Sequence, residues 1–125
     1  MTESKPTERS RVRRLPTRAS YDRETIDSIL DSGMIAHVGI VEAGRPIVVP
    51  MAFARRGDEI LLHGSSASRM MRALAAGTEA CVVVTHLDAI VVARSGFHSS
   101  MNYRSVVLFG AGRAIEDETA KRAAL

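Results

Sequence analysis

Cysteine is nearly absent: Cys81 is the only one in 125 residues, so no intrachain disulfide can form. It lies in the apolar run Cys81-Val82-Val83-Val84 with no basic neighbour, where a thiol acts as a small hydrophobe. Tryptophan is missing, and three phenylalanines with two tyrosines make a poor stacking surface for single-stranded nucleic acid. No run of about 18 apolar residues exists to span a membrane. The N-terminal stretch lacks the apolar core of a secretory signal. These absences predict a soluble, cytoplasmic protein. The four histidines, His37, His63, His86 and His98, show no metal-ligand spacing. No Gly-x-Ser-x-Gly elbow and no Cys/His pairing points to a hydrolase.

What is there has the makeup of one globular domain, 46% hydrophobic and 25% charged. The net charge of +3 is unevenly placed. Residues 1–18 carry Lys5, Arg9, Arg11, Arg13, Arg14 and Arg18 against Glu3 and Glu8. Residues 19–125 hold 11 bases and 12 acids, so the basicity belongs to a leader and argues for no specific nucleic-acid partner. The leader has no periodic apolar face, and its composition predicts disorder over 1–18.

Asp22 reads as an N-cap, with Glu24 in the first turn and Ile26, Ile29 and Leu30 on one face, which predicts a helix over 23–32 stopped by Gly33. From Met34 the period changes to two. Strands are predicted over 34–42, 47–54, 59–63, 80–86, 89–93 and 105–114, with Pro50 marking an edge or bulge in the second. A short helix is predicted over 69–76, an irregular segment over 95–103, and a last helix from Glu116 to Leu125. Six strands with short connections argue for an antiparallel barrel rather than a parallel sheet.

Three segments could carry chemistry. Leu62-His63-Gly64-Ser65-Ser66-Ala67-Ser68-Arg69-Met70-Met71-Arg72 places hydroxyls and two guanidiniums where a strand enters a helix. That set suits a phosphate, or simply caps the helix. Ser99-Ser100-Met101-Asn102-Tyr103-Arg104-Ser105 is a polar stretch running into an apolar strand, a ligand-orienting loop or an ordinary turn. Pro46-Ile47-Val48-Val49-Pro50-Met51-Ala52-Phe53 could present backbone groups to a flat heterocycle, or be a core or edge strand.

Taken in chain order, these segments resemble the pyridoxamine 5′-phosphate oxidase-like FMN-binding split-barrel superfamily, and within it the nitroimidazole-resistance (Nim-like) flavoproteins. The likeness runs from about Tyr21 to the C-terminus. It is carried by Ile47 to Phe53, Leu62-His63-Gly64, Ser68-Arg69, and above all Phe97-His98-Ser99-Ser100-Met101-Asn102-Tyr103-Arg104-Ser105-Val106-Val107. It implies a mainly β protein, a six-stranded antiparallel split β-barrel over 19–125, shorter at the C-terminus than Nim-like proteins. It also implies FMN at a homodimer interface. Val49, Pro50 and Met51 would line the flavin ring. His63 and Gly64 would lie beside the ribityl chain, with Ser65 following in the same loop. Ser68 and Arg69 would hold the phosphate. Asn102, Tyr103, Arg104 and Ser105 would lie near the cofactor, from the partner subunit.

The implied function is an FMN-dependent oxidoreductase passing electrons from a nicotinamide or other donor to a small acceptor such as a nitro compound or quinone. His63 is the candidate for a polar group beside the substrate. A non-catalytic flavin-binding protein, and an F420- or haem-binding member of the same barrel, stand beside that reading. Met51 and Met70 occupy places where oxidase relatives carry further basic residues, which counts against oxidation of pyridoxamine phosphate itself.

Overall fold

The computed structural model describes residues 5–96, 99–117, 119, 121 and 122. The leader has little regular structure beyond one 3-10 turn at Pro16–Arg18. It touches the domain nonetheless. The Val12 amide donates to the Tyr21 hydroxyl (2.9 Å), and Arg9 forms an ion pair with Glu79 and lies over the Phe109 ring, 4.3 Å from its centroid.

Helix α1 covers Arg23–Ser32, the span the sequence predicts. Asp22 caps it, its carboxylate accepting from the Thr25 amide at 3.1 Å and the Thr25 hydroxyl at 2.9 Å. Gly33 ends it for a reason other than a left-handed turn, since its φ is −89°. A Cβ there would lie 2.8 Å from Val84 Cγ1 and 3.0 Å from Phe53 Cζ, so close packing of the chain on the sheet requires glycine. His86 donates from Nε2 to the Ile29 carbonyl (2.8 Å), satisfying one of the free carbonyls at the helix end.

Five strands follow: β1 Ile35–Glu42, β2 Arg45–Arg56, β3 Glu59–Leu62, β4 Glu79–Val91 and β5 Ser100–Ala111. Helix α2, Arg69–Ala75, lies between β3 and β4. The strands form one antiparallel sheet in the order β3-β2-β1-β4-β5. Pro50 lies in β2 opposite His37, at a level where β2 has no pairing with β3; that edge position tolerates a proline.

The six-strand expectation is corrected to five among the described residues. The strands expected over 80–86 and 89–93 are one strand, β4, with a bulge. The register runs Leu87 to Tyr103 and then Ala89 to Asn102, which leaves Asp88 as the extra residue. The segment expected to be irregular up to Tyr103 is already strand from Ser100. Much of the helix expected from Glu116 lies outside the described residues.

The sheet's inner face and the two helices make the core. Ala36, Val38, Ile40, Met51, Ala80, Val82, Val84 and Val106 are buried against Ile29 and Leu30 of α1 and Met70 and Leu74 of α2. The sheet rolls toward a barrel without a strand ladder closing it among the described residues. Ile60 of β3 and Leu108 of β5, on opposite edges, line the same cavity of about 140 Å³ with Ile26 and Leu30. Arg113, just past β5, donates to Glu59 at the start of β3 (2.7 Å). No helix of the described residues is long and apolar enough to cross a membrane.

Candidate functional site

The loop after β3 sits directly on the middle of β2. A Cβ on Gly64 would meet Met71 Cγ at 3.3 Å and Met51 Cε at 3.4 Å, so glycine lets the backbone lie against both methionines. His63, Gly64 and Ser65 are exposed. Ser68 caps α2, its hydroxyl oxygen accepting from the Met71 amide (3.1 Å); its own O–H remains able to donate. Arg72 turns back onto the loop and donates to the Ala67 carbonyl (2.8 Å). Arg69 is the guanidinium left facing outward, its side chain 73% exposed, with Nε 3.7 Å from Glu42 Oε2.

Strand alternation splits the β2 candidates. Val49 is half-buried and Met51 buried, both on the inner face, so they can offer a ligand backbone groups only. Pro50 is exposed on the outer face. That face is apolar across four strands. One row runs Pro50, His37, Val83, Val107 and the next runs Val48, Gly39, Cys81, Phe109. Val48 is 65% and Val107 50% exposed. His37, given no role from the sequence, stands in the middle of this face; the period-two alternation of β1 carried that signal.

Asn102, Tyr103, Arg104 and Ser105 are exposed on β5. Arg104 is already engaged, donating to Asp88. That contact holds the Asp88 carboxyl below its ordinary range and raises the guanidinium. β1 and β4 lie between β2 and β5, a separation of about 14 Å at ordinary strand spacing. Within one protomer the fold therefore sets the loop after β3 against the inner-face side chain of Met51, with Pro50 on the other face of β2, and leaves 102–105 apart. Phe97 and His98, from the same sequence segment, lie outside the described residues. No grouping of His, Cys, Asp and Glu among the described residues is arranged to hold a metal ion.

The sequence profile described as pyridoxamine 5′-phosphate oxidase matches residues 22–125. Three solved structures are similar. An FAD- and haem-binding protein from Mycobacterium smegmatis is 48% identical, with a TM-score of 0.75 over 81% of this chain and 49% of that one. The flavocytochrome Anf3 from Azotobacter vinelandii is 42% identical, with a TM-score of 0.85 over 94% of this chain and 55% of that one. A candidate 5-nitroimidazole antibiotic resistance protein from Bacteroides thetaiotaomicron is 28% identical, with a TM-score of 0.68 over 82% of this chain and 61% of that one. The chain spans about half the length of the first two. A comparison with curated proteins found no match. A profile match over all but the first 21 residues, joined to relatives at 48% and 42% identity, places the chain in the pyridoxamine 5′-phosphate oxidase family.

Proposed function

We propose that this chain binds a flavin through its phosphate and serves as the flavin domain of an oxidoreductase. The observation that carries the reading is the set of exposed Ser65, half-buried Ser68 and exposed Arg69 where the loop after β3 enters α2, in a chain whose relatives are an FAD- and haem-binding protein and a flavocytochrome. Hydroxyl donors beside an outward guanidinium fit a phosphate ester. FMN, which the sequence resemblance implies, and FAD, which a relative holds, share that 5′-phosphate. When bound, the flavin supplies the electron-transfer chemistry; the protein's part is binding and orientation.

In this reading Arg69 takes the phosphate and Ser65 and Ser68 donate to its oxygens. Pro50 packs on the ring, and His63, exposed at the end of β3, presents a polar group to the substrate. The donor is a nicotinamide or similar reductant, and the acceptor a nitro compound, quinone or other small molecule. The protein works as a homodimer in the cytoplasm. The apolar outer face supports the dimer, since monomers rarely expose such patches. The distance between β2 and β5 supports delivery of Asn102 to Ser105 from the second copy. The test is to mix the purified chain with FMN and with FAD, separate free flavin by gel filtration, and record the absorbance of the protein peak. Flavin bands at about one per chain support the reading; a colourless peak sinks it.

Haem beside the flavin is a second reading, favoured by the two relatives described as binding haem or as a flavocytochrome. A Soret band after titration with haemin would support it.

A further inference from the structure

We propose that residues 11–18 dock this protein on an anionic lipid surface, an inference that stands apart from the flavin reading. The segment Arg11-Val12-Arg13-Arg14-Leu15-Pro16-Thr17-Arg18 carries four guanidiniums and no acid. It is fastened at both ends. On one side Arg9 pairs with Glu79 and lies over the Phe109 ring, within a turn that the Arg11 amide closes on the Thr7 carbonyl (3.0 Å). On the other, the 3-10 turn at Pro16–Arg18 runs on to Tyr21, whose hydroxyl accepts from the Val12 amide, and then to α1. The four arginines are therefore displayed from one place on the domain rather than spread through a free tail. That lowers the ordering cost of any contact they make together.

All four are exposed. Arg13 is met by Glu8, itself exposed, whereas the side chains of Arg11, Arg14 and Arg18 form no ion pair with any described residue. Among them Val12 and Leu15 are 41% and 46% exposed. A ligand for this segment has to answer both chemistries. A nucleic acid offers phosphates, but residues 5–18 hold no aromatic side chain to stack on bases, and the two aliphatic side chains would stay in water. An anionic bilayer offers headgroup phosphates to the arginines and acyl carbon just beneath to Val12 and Leu15. Residues 19–125 hold 11 bases and 12 acids, so the body adds no net attraction and the leader sets which side faces the lipid. Each base close to an anionic leaflet strengthens binding about fivefold, and the gain fades with salt. No helix of the described residues is long and apolar enough to cross a membrane; the contact is peripheral and reversible.

The test sediments the full chain with vesicles of phosphatidylcholine alone and of equal parts phosphatidylcholine and phosphatidylglycerol, at low and at high salt. The wild type should pellet with the anionic vesicles only, and high salt should release it. Arg11→Gln, Arg14→Gln and Arg18→Gln combined in one chain should weaken that binding at least about tenfold. Leu15→Ser should weaken it about threefold or more, because it removes an aliphatic contact and keeps every charge. Both variants change exposed side chains, and an unaltered urea midpoint confirms the fold. A fluorescent DNA duplex, titrated at the same low salt, should bind more weakly than the anionic vesicles and should not sense Leu15→Ser. Wild type left in the supernatant with anionic vesicles, equal sedimentation with the neutral ones, or binding untouched by the arginine substitutions would overturn the proposal. DNA bound as tightly as the vesicles, with Leu15→Ser indistinguishable from wild type on both, would assign the arginines to nucleic acid and overturn lipid docking as well.

Discussion

Asp88, the extra residue of the β4 bulge, is hydrogen-bonded by the Arg104 guanidinium, with Nε 3.0 Å from Oδ2 and Nη2 3.0 Å from Oδ1. The pair ties the two strands together at the point where their register shifts. It also means that an arginine expected to serve a cofactor first serves its own ribbon.

Replacing Arg104 with Gln should move the titration of Asp88. The Arg104 hydrogen bond is the main cause of its lowered value, so the carboxyl should return toward the ordinary aspartate value of about 3.9. A pKa depressed in the folded state gives stability that is present above the unfolded value and is lost as pH falls through the folded one. Wild type should therefore exceed Arg104→Gln in stability at pH 7, and the two should converge in acid, below the folded value. Carboxyl NMR titration checks the first statement, and urea unfolding at neutral and acid pH the second. The pair is partly exposed, so the effect is small.

That bulge also shows what local sequence could reveal. Asp88 interrupts an apolar run and reads as a turn, yet the strand continues because its charge is met by Arg104, sixteen residues on. By contrast α1 was legible to the residue, since its cap, its apolar face and its stop are all local signals. The passage from β3 into α2 was legible for the same reason, although the strand ends at Leu62, one residue before the predicted His63. The Glu42–Arg69 proximity and the distance from β2 to β5 depend on non-local pairing and could not be read. The burial of Val49 and Met51 could have been, from the alternation of β2 itself.

Ala43 and Gly44 form the β1–β2 turn with φ of 50° and 75°, both left-handed as a type I′ hairpin requires. Alanine in that region is strained by about 1–2 kcal/mol. Asparagine adopts it more readily, so Ala43→Asn should stabilise the protein by about 0.5–1 kcal/mol. The expected signature is a higher urea midpoint with an unchanged slope.

Gly112→Ala should do the reverse. A Cβ there would overlap the Leu74 carbonyl oxygen and lie 2.7 Å from Leu74 Cα and C. The obstacle is backbone at the end of α2, which cannot swing aside as a side chain would. The Gly112 amide also donates to the Thr78 carbonyl (3.2 Å), fixing the chain in place. The cost should be about 2–3 kcal/mol, seen as a lower unfolding midpoint.

Arg69→Ala should weaken FMN and FAD about 10- to 100-fold, since a hydrogen bond to a charged group is worth about 1.5–3 kcal/mol. Riboflavin, which has no phosphate, should bind equally to both proteins. Stability should change by less than about 0.5 kcal/mol, because the side chain is exposed and its one ion pair is long. An unchanged FMN affinity would remove Arg69 from the phosphate site.

The proposed two-copy site makes a sharper demand. Arg69 opens α2, just after the loop packed against β2, whereas Asn102 lies on β5, three strands further across the same sheet. If one cofactor needs both, the residues come from different copies. A homodimer of Arg69→Ala then has two sites that each lack the guanidinium, and a homodimer of Asn102→Ala has two that each lack the amide. Mixing the variants by unfolding and refolding them together creates hybrids. In a hybrid, one site collects both substitutions and the other collects neither. Flavin bound with wild-type affinity should therefore reappear in the mixture, at about half a site per chain among the hybrids. If each site is built within a single copy, every site in a hybrid keeps one defect, and mixing restores nothing. The outcome thus reads the architecture of the site directly, and it uses only the two single variants as its controls.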